Sequence, residues 1–257
     1  MPDDYAQTYD QTFSPFKDYS REALFLRDVI QRWRPHARSL LDLACGTATH
    51  LLELSRMGFD CIGVDIDPEI LEVARRKALD LGLTVKLVIG DMRDFRLSVT
   101  VDAAVNMFYS FHNVLYSEAE QLRCLQAIHR ALNPHGLLIM ELLPEENNLR
   151  LYPPGQVFEV CQTPQEDGTV LRVTSENRIL DREMKEVIFS YQTLKDDQVI
   201  ARERLISPFR RMYLGELEPL LARGGFRILE RFGDCDSQVP FTAESRKLVL
   251  AAEAFDI

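Results

Sequence analysis

Parallel β-strands are joined by crossover connections of a dozen or more residues, and the order of apolar runs in this chain fits that requirement. Short apolar runs at 39–44, 61–65, 85–90, 103–108 and 137–143 alternate with segments of helical periodicity at 49–57, 68–81 and 117–132. An amphipathic stretch from Asp18 to about Arg34 precedes them, with Leu24, Phe25, Leu26, Val29, Ile30 and Trp33 at helical spacing and Pro35 as its stop. After residue 213 the alternation resumes with a helix at 214–223, ended by Gly224-Gly225, and strands at 226–232 and 247–252. Right-handed crossovers put helices on both faces of such a sheet, so the pattern predicts an α/β fold with a doubly wound, mostly parallel sheet of seven strands. Ligands of these sheets bind outside the carboxyl ends of the strands.

Between 151 and 213 the periodicity changes. Runs at 156–161, 170–180, 185–194 and 199–206 are separated by the turn signals Glu166-Asp167-Gly168, Asp181-Arg182 and Asp196-Asp197, and read as antiparallel hairpins without a helix. Residues 1–150 and 214–257 are therefore assigned to one domain, and 151–213 to an antiparallel β insertion placed to act as a lid or a dimer surface. With 257 residues, 46% of them apolar and 27% charged, the chain can bury a full core and lacks the composition of a disordered protein.

The run Leu40-Leu41-Asp42-Leu43-Ala44-Cys45-Gly46-Thr47-Ala48 ends a strand in small residues and feeds directly into a helix. Small residues let backbone N–H groups approach a ligand, and the helix N-terminus favours its negative part. The second strand ends in Gly63-Val64-Asp65-Ile66-Asp67, where Asp65 can accept both hydroxyls of a ribose. That pair fits a nicotinamide dinucleotide as well as S-adenosylmethionine, and three features favour the second. Asp42 at the mouth of the loop repels a pyrophosphate and attracts an ammonium group. Ala44 and Thr49 stand where a G-x-G-x-x-G loop has its first and third glycines. Gly90-Asp91-Met92-Arg93-Asp94-Phe95, after the third strand, offers an acceptor for an exocyclic amine and an apolar cover for a purine.

In these features residues 1–145 resemble the class I S-adenosylmethionine-dependent methyltransferases. The resemblance implies the Rossmann-like methyltransferase fold, with the loop from Asp42 to Ala48 around the amino-acid end of the cofactor, Asp65 on the ribose, and Asp91 and Met92 flanking the adenine. The implied cofactor-binding set is Tyr9, Tyr19, Asp42, Ala44, Gly46, Asp65, Ile66, Asp91, Met92 and Asn106, the last through its backbone carbonyl at the end of the fourth strand. Tyr9-Asp10, Lys17-Asp18-Tyr19 and the segment from Gly90 to Phe95 are similar, more narrowly, to small-molecule N-methyltransferases, including those acting on amino sugars. The segment from Asn106 to Asn113 then supplies the catalytic candidates His112 and Tyr109, with Asn113 where amino-sugar enzymes have a histidine. The expected function is methyl transfer by in-line displacement to a small acceptor, an amine by preference, with His112 as a base if a proton must be taken. Two other readings stay open, a catalytically silent cofactor-binding protein and a nicotinamide-dependent oxidoreductase.

Thirty Lys plus Arg against forty Asp plus Glu give a formal net charge of −10, which disfavours nucleic acid as a partner and leaves a small-molecule acceptor. Cys45, Cys61, Cys124, Cys161 and Cys235 form no C-x-x-C pair and, with the histidines, no metal-ligand spacing, so no metal is expected. No apolar stretch approaches the length of a membrane span, and a cytoplasmic protein, with the insertion available for homodimer contact, is the expectation.

Overall fold

A computed structural model describes residues 17–165 and 167–256. The first element, α1 (Tyr19–Trp33), starts where Asp18 accepts a hydrogen bond from the Arg21 N–H, and it buries Phe25, Leu26, Val29 and Ile30. There follow β1 (Ser39–Leu43), α2 (Thr49–Arg56), β2 (Asp60–Asp65), α3 (Pro68–Asp80), β3 (Lys86–Ile89) and β4 (Val101–Asn106). After them come the single turn α4 (Ser110–Asn113), α5 (Glu118–Ala131) and β5 (Leu132–Leu142). As the sequence indicates, Asp67 caps α3 by accepting from the Glu69 and Ile70 amides, with Pro68 at the first helical position.

The main sheet is completed by α7 (Leu214–Arg223), β10 (Phe226–Phe232) and β11 (Leu248–Ala254), and its strand order is β10-β11-β5-β4-β1-β2-β3. Only the pairings of β11 are antiparallel. This is the doubly wound, mostly parallel seven-stranded sheet that the alternation predicts. Side-chain parity divides the core between its faces: Leu40 packs with α1 and α2, while Leu41 and Leu43 pack with α5 and α7. Asn133-Pro134-His135-Gly136, which reads as a turn, instead continues β5, with His135 in the left-handed region at φ +60°.

The insertion is a second sheet, all antiparallel, of β6 (Val157–Pro164), β7 (Val170–Ile179), β8 (Met184–Lys195) and β9 (Gln198–Arg210), in sequential order. It hangs from the main sheet by α6 (Glu145–Leu151), a short helix that the hairpin pattern did not reveal. The joint is ionic. Lys185 Nζ donates to Glu145 Oε2 and Asn148 Oδ1, both at 2.6 Å, and Arg211 Nε reaches Glu145 Oε1 at 2.9 Å, with Lys185 and Glu145 wholly buried. Asn177 adds bonds to Asn148 Oδ1 and the Tyr152 carbonyl.

Removing one partner of a buried ion pair strands the other charge in the interior, at about 3–5 kcal/mol. Glu145→Ala is therefore expected to lower the free energy of unfolding by roughly that amount, measured by urea denaturation with circular dichroism. A loss below about 1 kcal/mol, the range of an exposed pair, would mean that this joint does not hold the second sheet.

Candidate active site

The loop after β1 is shaped by left-handed residues, with φ of +57° at Ala44, +55° at Gly46 and +62° at Ala48. Small residues carry this conformation at the lowest steric cost, which explains the choice of side chains between Leu43 and Thr49. The loop is tied to β2 through Asp65, whose Oδ2 accepts the Gly46 N–H at 2.8 Å and whose Oδ1 accepts the Asp67 N–H at 3.1 Å. A Cβ at Gly63 would lie 2.8 Å from Cys45 Sγ and 2.9 Å from Leu51 Cδ2, so β2 runs this close under the loop only with glycine there.

Above the loop lies an open pocket lined by Tyr19, Asp42, Ala44, Cys45, Thr47, Thr49, His50, Met107, Phe108 and Ser110. Asp42, only 3% exposed, presents its carboxyl there. Burial, then the neighbouring Asp65 carboxylate, push Asp42 up to about 8, against the pull of Lys17. Burial also raises Asp65, although the backbone N–H groups of Asp67, Gly46 and Ile66 oppose the shift. Ile66, next along, is 60% exposed, an apolar side chain presented beside Asp65. Asp91 is only part-buried and accepts from the Arg93 amide and guanidinium, which hold it below the usual carboxylate range.

Two sequence expectations change here, those for Met92 and His112. Met92 is buried in the core with Phe95, so its side chain does not cover a ligand. His112 is fully buried: the Leu143 N–H donates to its Nε2 at 3.1 Å and its Nδ1 lies 3.2 Å from the Arg210 carbonyl. Burial, with the Lys185 charge, lowers it to about 3, so His112 joins the two sheets as a neutral ring and is not a base at neutral pH. Asn106 is also buried: its Nδ2 donates to the Leu43 carbonyl at 2.8 Å, which spaces β4 from the β1 loop. Its Oδ1 has no hydrogen-bond partner among the described residues. Tyr19 does line the pocket, edge-on to His50 at 4.8 Å, and Tyr9 lies outside the described residues.

Beyond β4 the backbone turns through Phe108 and Tyr109, both left-handed at φ +59° and +62°. Neither is glycine, and such residues cost about 1–2 kcal/mol each. The Phe108 N–H donates to Glu141 Oε2 at 2.7 Å, and Lys17 Nζ stands 4.6 Å from the centre of the Phe108 ring. Tyr109 stacks edge-on against His112, and burial with the nearby Glu141 carboxylate raises its hydroxyl above the ordinary tyrosine value.

Sequence reasoning missed the buried polar cluster beside this turn. Lys17 Nζ contacts Glu22 Oε2 and Glu141 Oε2, each at 3.0 Å, while Lys247 Nζ contacts Glu141 Oε1 at 2.8 Å. Glu22 Oε2 also meets His50 Nε2 at 2.6 Å, and the Cys235 thiol donates to Glu22 Oε1 at 2.9 Å. The available signal was Glu141, the one charged residue in the apolar run 137–143.

Residues 40–136 match the family described as "Methyltransferase domain". A dTDP-3-amino-3,4,6-trideoxy-alpha-D-glucopyranose N,N-dimethyltransferase of Streptomyces venezuelae is 35% identical over 139 residues, 54% of this chain and 56% of the relative. A dTDP-3-amino-3,6-dideoxy-alpha-D-glucopyranose N,N-dimethyltransferase of Streptomyces fradiae is 35% identical over 165 residues, 63% of this chain and 60% of the relative. The chain thus spans 56% and 60% of the lengths of these curated relatives. Among solved structures, Streptomyces venezuelae DesVI superposes with a TM-score of 0.78 at 24% identity over 100% of both chains. An S-adenosylmethionine-dependent methyltransferase from Clostridium acetobutylicum gives 0.80 at 19% identity over 98% of both. At these identities the structures establish the fold, and the fold extends over the whole chain. Residues 40–136 thus match a methyltransferase domain, and the chain shares its fold with these solved methyltransferases.

Proposed function

We propose that this protein is an S-adenosylmethionine-dependent methyltransferase whose acceptor is the amino group of a small molecule, with a nucleotide-linked amino sugar as the leading substrate class. The observation that carries the reading is Asp42, a buried carboxyl facing the pocket and held largely protonated when the site is empty. Such a group calls for a cation, and the ammonium of the cofactor's amino-acid end supplies one. The donor set fits the cofactor throughout: Asp65 for the ribose, Ile66 against the base, Asp91 within reach of an exocyclic amine, and Tyr19 over the amino-acid end. A pyrophosphate would bring further negative charge beside Asp42 and the neighbouring Asp65, which counts against a nicotinamide dinucleotide. The acceptor class rests on the printed names of the two dimethyltransferase relatives.

The chemistry supplied by the cofactor is a methyl group on a sulfonium, displaced in line by the nitrogen lone pair while the C–S electrons return to sulfur. The protein's own part is alignment and exclusion of water. Met107, Phe108 and Ser110 form one wall of the pocket and the Tyr19 ring another. Tyr109, beside this wall though not among its lining residues, is our candidate to orient the acceptor nitrogen through a hydroxyl that burial keeps protonated. The acceptor arrives as a free amine, because both nitrogens of His112 are committed to the fold. Among the described residues no helix is long and apolar enough to cross a membrane. All five cysteines are free thiols, in keeping with a reducing, cytoplasmic setting, and the second sheet is the surface we assign to homodimer contact.

The test is methyl transfer to a panel of amines, nucleotide-linked amino sugars and hydroxyl compounds, read by mass spectrometry beside calorimetry with S-adenosylmethionine and NAD. Binding of NAD alone would overturn the reading, and cofactor binding without turnover on any acceptor would favour the silent protein. Asp65→Ala is expected to weaken cofactor binding by about tenfold or more, the loss of a charge-assisted pair of hydrogen bonds. Unchanged affinity would remove Asp65 from the site.

Cofactor affinity is also expected to depend on pH. Asp42 must ionise to meet the ammonium, and its empty-site value is raised to about 8, so binding releases a proton below that value and tightens as pH rises toward it. The dissociation constant should fall more than tenfold between about pH 6 and 8, and Asp42→Asn should flatten the dependence. A flat wild-type profile would show that Asp42 does not meet the cation.

A further inference from the structure

We infer that Glu141 is a positioning residue for methyl transfer: its carboxylate, clamped between Lys17 and Lys247, holds the Phe108–Tyr109 turn in shape and thereby sets the pocket wall on which the methyl and its acceptor are aligned. The inference rests on the methyltransferase reading above and adds to it a residue outside the matched domain at 40–136.

Glu141 lies near the end of β5, fully buried, on a strand whose neighbouring residues Met140 and Leu142 belong to the apolar core. A well-packed apolar side chain is generally at least as stabilising at such a position, so stability alone does not explain a carboxylate there. Its contacts do. Oε1 takes the Lys247 ammonium at 2.8 Å, whereas Oε2 takes Lys17 and the Phe108 backbone N–H, at 3.0 and 2.7 Å. One side chain thus joins the segment before α1, the head of β11 and the turn after β4.

That turn needs a restraint. Phe108 and Tyr109 are consecutive left-handed residues with full side chains, a conformation that persists only where the surroundings impose it. Met107 precedes them and Ser110, whose Oγ donates to the Met107 carbonyl at 3.1 Å, closes the turn. Met107, Phe108 and Ser110 all line the pocket, so a relaxed turn would displace its wall. Asp65, which with Asp42 holds the cofactor in this reading, is bonded to Gly46 and Asp67, and among the described residues neither carboxyl hydrogen-bonds to the turn. Loss of the restraint should therefore fall on alignment more than on cofactor binding, and alignment is where this reaction is accelerated.

Two variants separate reach from charge. Glu141→Asp keeps a carboxylate for both lysines but withdraws it from the Phe108 N–H. Glu141→Gln combined with Lys247→Met keeps an acceptor for that N–H and removes one charge of each sign. If Glu141 positions the turn, the aspartate variant loses at least tenfold in kcat with cofactor Kd within threefold, and the double variant keeps kcat within threefold of wild type. A purely ionic role gives the opposite order, and that order overturns the inference, as does an aspartate variant with wild-type kcat. Amide exchange at Phe108 supplies the second measurement, faster in the aspartate variant and unchanged in the double variant; equal protection in both also overturns it. Wild-type protein that neither binds S-adenosylmethionine nor methylates any acceptor refutes the functional reading instead, and the exchange result still decides whether Glu141 holds the turn.

Discussion

Burying a carboxylate costs several kcal/mol unless the protein supplies compensation, and this fold buries three and half-buries a fourth at or just beyond the carboxyl ends of its strands. Three of the four are compensated, each differently, and one is not. Asp65 is met by backbone N–H groups of the loop that it shapes. Glu141 is met by two ammoniums and an amide of the neighbouring turn. Glu145 is met by Lys185 and Arg211 and fixes the second sheet. Asp42 has none of this. Lys17 lowers it from a distance while burial and Asp65 raise it, and the balance leaves a protonated acid facing a pocket. A position that the fold leaves uncompensated is one that a ligand cation can complete.

These four differ in how far the sequence reveals them. Asp42 and Asp65 are legible because their meaning is local: a strand end, small residues, a helix start, and a second strand end about twenty residues on. The alternation of apolar runs likewise predicts the seven-stranded sheet, because strand and helix periodicities are set by neighbours in the chain. Glu141 is not legible in the same way. Lys17 lies 124 residues before it and Lys247 far beyond, and no periodicity relates them. The helix at Glu145–Leu151 escaped notice because one and a half to two turns of polar residues after a proline carry no apolar stripe. His112 shows the opposite error. Its place in the sequence, beside the ligand-facing end of β4, suggested a base, and only the three-dimensional packing shows both nitrogens spent on backbone groups of β9 and of the residue after β5.

The division between legible and illegible follows the division of labour in the molecule. The stretch matching the methyltransferase domain ends at residue 136, and it contains the β1 loop, Asp65, Asp91 and the post-β4 turn. Glu141, Glu145, Lys185 and the whole second sheet fall after it. The matched part of the pocket is thus built from local turns whose small residues are dictated by backbone conformation, which keeps them recognisable between proteins. The part after it is built from side chains brought together over long separations, where many packings satisfy the same geometry. Structures at 19% and 24% identity still superpose over nearly the whole length, because layers and crossovers do not depend on which residues fill them. On such a frame the turn at Phe108–Tyr109 joins the two parts through its bond to Glu141. It belongs to the matched domain by position but is held by Glu141 outside it, so a change at Glu141 can move the pocket wall at Met107, Phe108 and Ser110 while Asp42 and Asp65 stay in place.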